Sequence, residues 1–255
     1  MLSFIGLGLY DERSITLRGQ EALQSADAAF AEWYTSRLAG TSVDRLEVLH
    51  DIGIEVRDRA GVEQHPEPIL DAAEEGHAAF LTAGDTMIST THVDLRLRAH
   101  ERGIETRVVH GTTAQAAASS LTGLQNYRFG KATTLPFPET HGGVPDSVVE
   151  TIEANRERDL HTLVYLDIDG GDDRFLTGDT AAEQLAGPLG DPLGVAVAQA
   201  GSDAPTVRAD YLSALAGESF GPPLHLLVIP GDRHPLEAEA LVELAGAPQT
   251  DREGV

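Results

Sequence analysis

The chain has 255 residues, enough for one large domain or two small ones, and its hydrophobic fraction of 41% is that of a folded globular protein. Asp and Glu number 41 against 18 Lys and Arg, a formal net charge of -23, so the surface repels phosphate backbones and the expectation is no nucleic-acid binding. The absence of cysteine excludes disulfides, thiolate nucleophiles and zinc-thiolate centres.

"LSFIGLG", residues 2 to 8, reads as a strand running into glycines, and "TLRGQEALQSAD", 16 to 27, as a helix with Thr16 as N-cap. "AAFAEWY" (28 to 34) is a strand, "EPILDAAEEGH" (67 to 77) a helix and "AAFLT" (78 to 82) a strand. "HVDLRLRAHERG" (92 to 103) is helical with Gly103 near its end, and "ETRVVH" (105 to 110) is another strand. This alternation predicts an α/β fold with a mainly parallel sheet. The second half differs in character. "LPFPETHGGVPDS" (135 to 147) is turn-rich, a helix is expected near 146 to 158, and apolar strands at "TLVYLDI" (162 to 168), "GVAVAQA" (194 to 200) and "LHLLVIP" (224 to 230). The expected boundary lies near 110 to 115, giving domains of residues 1–112 and 113–255. No apolar run approaches the roughly 18 residues of a membrane span, and Met1 to Gly8 lacks a basic region and a cleavage site, so a cytoplasmic protein is expected.

Lys131 is the sole lysine, the other basic residues being arginine. An acidic, lysine-poor surface on a chain of ordinary hydrophobicity fits a salt-in halophile, where salt screens self-repulsion; the alternative is an acidic patch that recruits a basic partner.

Several pieces carry chemistry. In "GLGLYD" (6 to 11) two glycines follow a strand, but Asp11 occupies the third position of the dinucleotide fingerprint and "YDERSI" separates the glycines from the helix, which disfavours a pyrophosphate site. A strand-end turn and a glycine loop beside another ligand both stay open. "AGDT" (83 to 86) closes a strand where open α/β sheets place ligand crevices; Asp85 either accepts hydrogen bonds from a ligand or makes an Asx-type turn. In "STTH" (89 to 92) the expected role of Thr90 or Thr91 is to cap the following helix. His92 and His100 lack carboxylates at metal-ligand spacing, and no metal site is expected. His225, at the start of a strand, either faces a crevice or is a satisfied structural histidine.

Taken together, "FIGLGLYDERSITLRGQEAL", "AEWYTSRLAGT", "FLTAGDTMISTTHVDLRLRA", "HTLVYLDI", "AGSDAPTVRADY", "LVIPGDRHPLEAEAL" and "AGAP" resemble, in order and spacing, the archaeal-type diphthine synthases, within the tetrapyrrole-methylase-like group. The resemblance runs nearly end to end. It implies two α/β domains with S-adenosyl-L-methionine in the cleft between them, a homodimer, and cofactor contacts at Leu9, Asp85, Ile88, Thr113, Ala114, Leu166, Ala198 and His225. The family more often has PGDP where this chain has Ala83 and Thr86, and Ser where it has Thr113; the hydroxyl survives, and the lost prolines bear on loop rigidity more than on chemistry. The implied reaction is repeated methylation of the amino group of the 3-amino-3-carboxypropyl-histidine of elongation factor 2, in diphthamide biosynthesis. No catalytic residue is identified at this level. The rivals are a tetrapyrrole (precorrin-type) methyltransferase and a non-enzymatic S-adenosylmethionine-binding module.

Overall fold

A computed structural model describes residues 1–170 and 173–249. The end of the expected second domain, residues 250–255, lies outside them. Two compact units result: Met1–Thr113 with Gly170, and Ala114–Asp169 with the chain from Asp173 onward.

The first unit runs β1 (Leu2–Gly6), α1 (Leu17–Gln24), β2 (Ala28–Glu32), α2 (Val43–His50), β3 (Ile54–Arg57), α3 (Arg59–Glu63), α4 (Glu67–Glu75), β4 (Ala78–Thr82), α5 (Val93–Glu101) and β5 (Thr106–Val109). Its strands form one all-parallel sheet in the order β3-β2-β4-β1-β5. Side-chain alternation divides the core between the two faces. Leu2, Phe4, Phe30, Ala78 and Phe80 pack with Ile69 and Leu70 of α4 and Leu95 and Ala99 of α5. Ile5, Ala29, Ala31, Ala79 and Leu81 pack with Leu23 of α1 and Leu46 of α2. Phe4 and Phe80, paired in register, meet edge to face with centroids 5.9 Å apart. Short side chains set the helix starts: Thr16 accepts from the Gly19 amide at 3.1 Å, as its sequence context predicts, and Ser42 and Asp58 do the same for α2 and α3.

The second unit runs α6 (Ala114–Thr122), β6 (Thr133–Leu135), α7 (Pro138–His141), α8 (Asp146–Arg156), β7 (Thr162–Leu166), β8 (Ile168–Asp169), β9 (Arg174–Phe175), α9 (Gly178–Leu189), β10 (Leu193–Ala198), β11 (Thr206–Tyr211), α10 (Leu212–Leu215), β12 (His225–Ile229) and α11 (Pro235–Ala245). Its main sheet has the order β11-β10-β12-β7-β6. Here only β6 and β7 pair in parallel; the β11-β10, β10-β12 and β12-β7 pairs are antiparallel. The reason is connectivity: α9 leads from the β8-β9 hairpin into β10, and β10 and β11 are joined by a turn instead of a crossover helix.

Candidate active site

The first unit has a topological switch point at the carboxyl ends of its strands. The chain leaves β1 for α1 on one face of the sheet and leaves the neighbouring β4 for α5 on the other, which is the switch point where open α/β sheets bind ligands. Glycines bring the loops after β1, β4 and β5 together there. Gly8 (φ +80°) and Gly84 (φ +74°) adopt left-handed backbone that L side chains resist, and exchange two hydrogen bonds: the Gly8 amide donates to the Gly84 carbonyl at 3.2 Å, the Gly84 amide to the Gly8 carbonyl at 2.6 Å. The approach of the third loop is as close. A Cβ on Gly111 would lie 2.3 Å from the Gly84 carbonyl oxygen, and one on Gly6 would lie 2.6 Å from the Gly111 nitrogen. The glycine pair of "GLGLYD" is thus a packing device between loops, and α1 begins only at Leu17.

Asp85 stands on this junction, 6% exposed. Its Oδ1 accepts from the Met87 amide at 3.0 Å, the Asx-type bond expected of a turn. Its Oδ2 lies 2.8 Å from His110 Nδ1, at the end of β5, and the His110 side chain is 77% exposed. Around it, the Thr86 carbonyl accepts from His92 Nδ1 at 3.0 Å and from the Thr90 hydroxyl at 3.1 Å. His92 is therefore a buried fastener of the loop. Its Nε2 makes no hydrogen bond and lies 3.7 Å from Glu32 Oε1, a carboxylate that sequence spacing did not associate with it. No group of three or more His, Asp or Glu fit to hold a metal occurs among the described residues.

The expected threonine cap is not formed. His92 occupies the N-cap position of α5 without a side-chain cap bond, the Thr91 hydroxyl donates to Glu63 at 3.2 Å, and Thr90 turns back to Thr86. Thr90 closes the loop on itself and Thr91 ties it to α3, which leaves neither hydroxyl to cap α5. Leu9 and Thr113 are half-buried and Ile88 is 39% exposed, all on the same three loops.

The second unit brings three of the expected residues to one end of its sheet. Ala198 ends β10 and pairs with His225, the first residue of β12; Leu226 pairs with Tyr165, so Leu166, ending β7, lies at that same end. Ala114 opens α6. His225 is a satisfied structural histidine. Its Nδ1 accepts from the Gly178 amide at 3.0 Å, so Nε2 carries the proton and donates to the carbonyls of Gly221 (3.2 Å) and Pro222 (3.0 Å). Burial holds its pKa below the usual histidine range, against the pull of those two carbonyls.

"LVIPGDRHPLEAEAL" folds into a second polar network of this unit. Glu237 is fully buried; its Oε1 accepts from the Gln125 amide (2.8 Å) and lies 3.1 Å from His161 Nε2, while its Oε2 accepts from the His234 amide (2.8 Å) and from Arg128 (2.7 Å). Burial pushes the Glu237 carboxyl up, but these donors outweigh it and its pKa is lowered. The His161 Nδ1 accepts from the Gly231 amide at 3.1 Å. Glu237 and His234 of the segment, together with His161 just before β7, are thereby committed to joining α11 to the sheet.

His110 was not singled out by sequence reasoning. Its only local signal is a histidine between a strand end and a glycine; its pairing with Asp85, 25 positions away, depends on β1 lying between β4 and β5.

The family model of tetrapyrrole (corrin/porphyrin) methylases matches residues 1–213. A diphthine synthase of Halorubrum lacusprofundi is 69% identical, covering 97% of this chain and 98% of its own, and one of Natronomonas pharaonis is 67% identical, covering 98% of each. A crystal structure of a diphthine synthase superposes with a TM-score of 0.92 at 34% identity, covering 100% of this chain and 99% of the other. The two-unit α/β architecture is that of these methylases. With near full-length identity on this scale, the chain belongs to the diphthine synthase family of tetrapyrrole-type methylases.

Proposed function

We propose that this chain is an S-adenosyl-L-methionine-dependent N-methyltransferase that repeatedly methylates the amino group of the 3-amino-3-carboxypropyl-histidine of elongation factor 2 to give diphthine. The observation that carries this reading is identity of 64–69% to haloarchaeal diphthine synthases along nearly the whole chain. It works as a homodimer in the cytoplasm; no helix among the described residues is long and apolar enough to cross a membrane.

The donor set suits the cofactor. Asp85 is an acceptor for hydroxyl or ammonium groups, and Leu9 and Ile88 offer partly exposed apolar surface for an aromatic base. Thr113, Ala114, Leu166 and Ala198 complete the proposed contacts, and His225, its ring nitrogens already bonded, contributes backbone or ring edge. When bound, S-adenosylmethionine supplies a methyl group on a sulfonium, a good leaving group. The protein's own share is to hold the acceptor nitrogen in line, about 3 Å from the methyl carbon, and to exclude competing nucleophiles.

Incubating the protein and labelled S-adenosylmethionine with elongation factor that bears the 3-amino-3-carboxypropyl group tests this reading. Mass spectrometry should show stepwise gain of methyl groups only on that intermediate. Methylation of the bare histidine, preference for a tetrapyrrole, or binding without turnover would overturn it. The acidic surface is proposed as an adaptation to molar salt, where the Debye length falls to about 3 Å. Thermal melts should therefore rise along a salt series.

A further inference from the structure

We propose that His110 is the general base of the reaction, taking the proton from the substrate's ammonium group, with Asp85 fixing its tautomer. This rests on the methyltransferase reading above and adds the proton acceptor that it lacks.

The hydrogen bond to Asp85 Oδ2 at 2.8 Å assigns the ring. A carboxylate only accepts, so Nδ1 carries the hydrogen and the neutral imidazole presents its lone pair at Nε2. The exposures are arranged for use: the carboxylate is 5% exposed and the imidazole 77%. Asp85 is itself held, through Oδ1, by the Met87 amide. His110 thus sits on the rim of the sheet, before Gly111 at the junction of the three loops, and three residues ahead of Thr113. Five of the nine other histidines are already committed. His92, His161 and His225 are buried and bonded to backbone, His77 lies between Ser3 and Ser25, and His234 caps α11.

The chemistry needs such a group. An alkylammonium has no lone pair, so each transfer begins by loss of a proton from nitrogen to His110 Nε2, giving an imidazolium that the Asp85 carboxylate stabilises. The freed pair forms the new N–C bond as the bond from that carbon to sulfur breaks, its electrons staying on sulfur. The product is again an ammonium with one fewer N–H. Three transfers consume three protons, and the trimethylated nitrogen has none left to give.

The test compares wild type with His110→Asn, whose amide nitrogen can stand in for Nδ1 and keep the bond to Asp85, and with His110→Ala. Three measurements are made: calorimetric affinity for S-adenosylmethionine, single-turnover methylation of the intermediate-bearing elongation factor across pH, and nitrogen NMR of the histidine ring. We expect His110→Asn to bind cofactor within about twofold of wild type and to lose about 10²–10⁴ in rate at neutral pH. The loss should shrink as pH rises and more of the amine is free in solution. NMR should show the Nδ1–H tautomer at His110 in wild type and its loss in Asp85→Asn. Active wild type with an unimpaired His110→Asn, or cofactor affinity falling in step with rate, overturns the base. Wild type that transfers no methyl group overturns the functional reading and the base with it.

Discussion

The Glu237 cluster of the second unit and the loop cluster of the first use their polar groups differently. In the second, Glu237 uses both oxygens on four donors, and His161 and His225 use both ring nitrogens. In the first, the polar groups at the carboxyl end of the parallel sheet keep spare capacity: His110 is exposed beyond its bond to Asp85, and His92 Nε2 lacks a hydrogen bond. A group whose valences are all met holds a structure together; one with a free lone pair on an accessible rim can act on something else. The comparison assigns architecture to the polar network of the second unit and proton chemistry to the loops of the first.

The sharpest way to break that contrast is Glu237→Ala. It leaves the Arg128 guanidinium and the Gln125 and His234 amides without their acceptor, and removing one partner of a buried ion pair typically costs about 3–5 kcal/mol. Denaturant unfolding in molar salt should show a loss of that size. A change below about 1 kcal/mol would mean that the network is incidental, and the division of labour between units would lose its basis.

Second in size is Asp85→Ala. A hydrogen bond to a charged group contributes about 1.5–3 kcal/mol, so S-adenosylmethionine should bind more weakly by that amount while the unfolding midpoint moves little, the side chain lying on a loop outside the apolar core. Calorimetry on both proteins decides it. Unchanged affinity would reduce Asp85 to its Asx turn with Met87.

The α/β alternation was legible because apolar runs such as "AAFLT" lie between segments of helical periodicity. The sheet order was not, since register and pairing arise only when the strands meet. That is why the second unit's antiparallel pairing could not be read from three apolar segments that look much like those of the first. Other elements also went unread, both the short β3 and β6 and the longer α9 and α11. At the site, Asp85 stood out because a carboxylate after a strand and a glycine has a local meaning. His110 and Glu32 did not, because their significance lies in what a neighbouring strand brings to them.

A smaller loss is expected of Gly111→Ala. Its Cβ would meet the Gly84 carbonyl oxygen at 2.3 Å, backbone against backbone with no flexible side chain to yield. Such overpacking costs about 1–3 kcal/mol. The loops of the first unit should separate, so cofactor affinity and stability should fall together, unlike the split effect of Asp85→Ala. Wild-type stability and affinity would mean that the three-loop junction has room to spare.

Acid should distinguish the units most finely. Burial lowers the pKa values of His161 and His225 in the second unit, so each binds fewer protons folded than unfolded; in the first unit it does the same to His50. Their contribution to stability is therefore complete above the unfolded value of about 6.5 and is lost as pH falls from there toward the folded values, at up to about 1.4 kcal/mol per pH unit for each. Geometry says where the proton must go. In the His161 and His225 rings Nε2 already faces an acceptor, so protonation occurs at Nδ1 and displaces the amide of Gly231 or Gly178, leaving a buried N–H without a partner. Glu237, with its lowered pKa, loses its contribution in turn as pH falls further, through its own folded value. The sole tryptophan, Trp33, packs in the first unit and reports on it separately. As pH is lowered from 7 in high salt, amide exchange in β7, β10 and β12 should accelerate before Trp33 fluorescence changes. Simultaneous change would show that the units unfold as one cooperative body, and the acid-labile network would then set the stability of both.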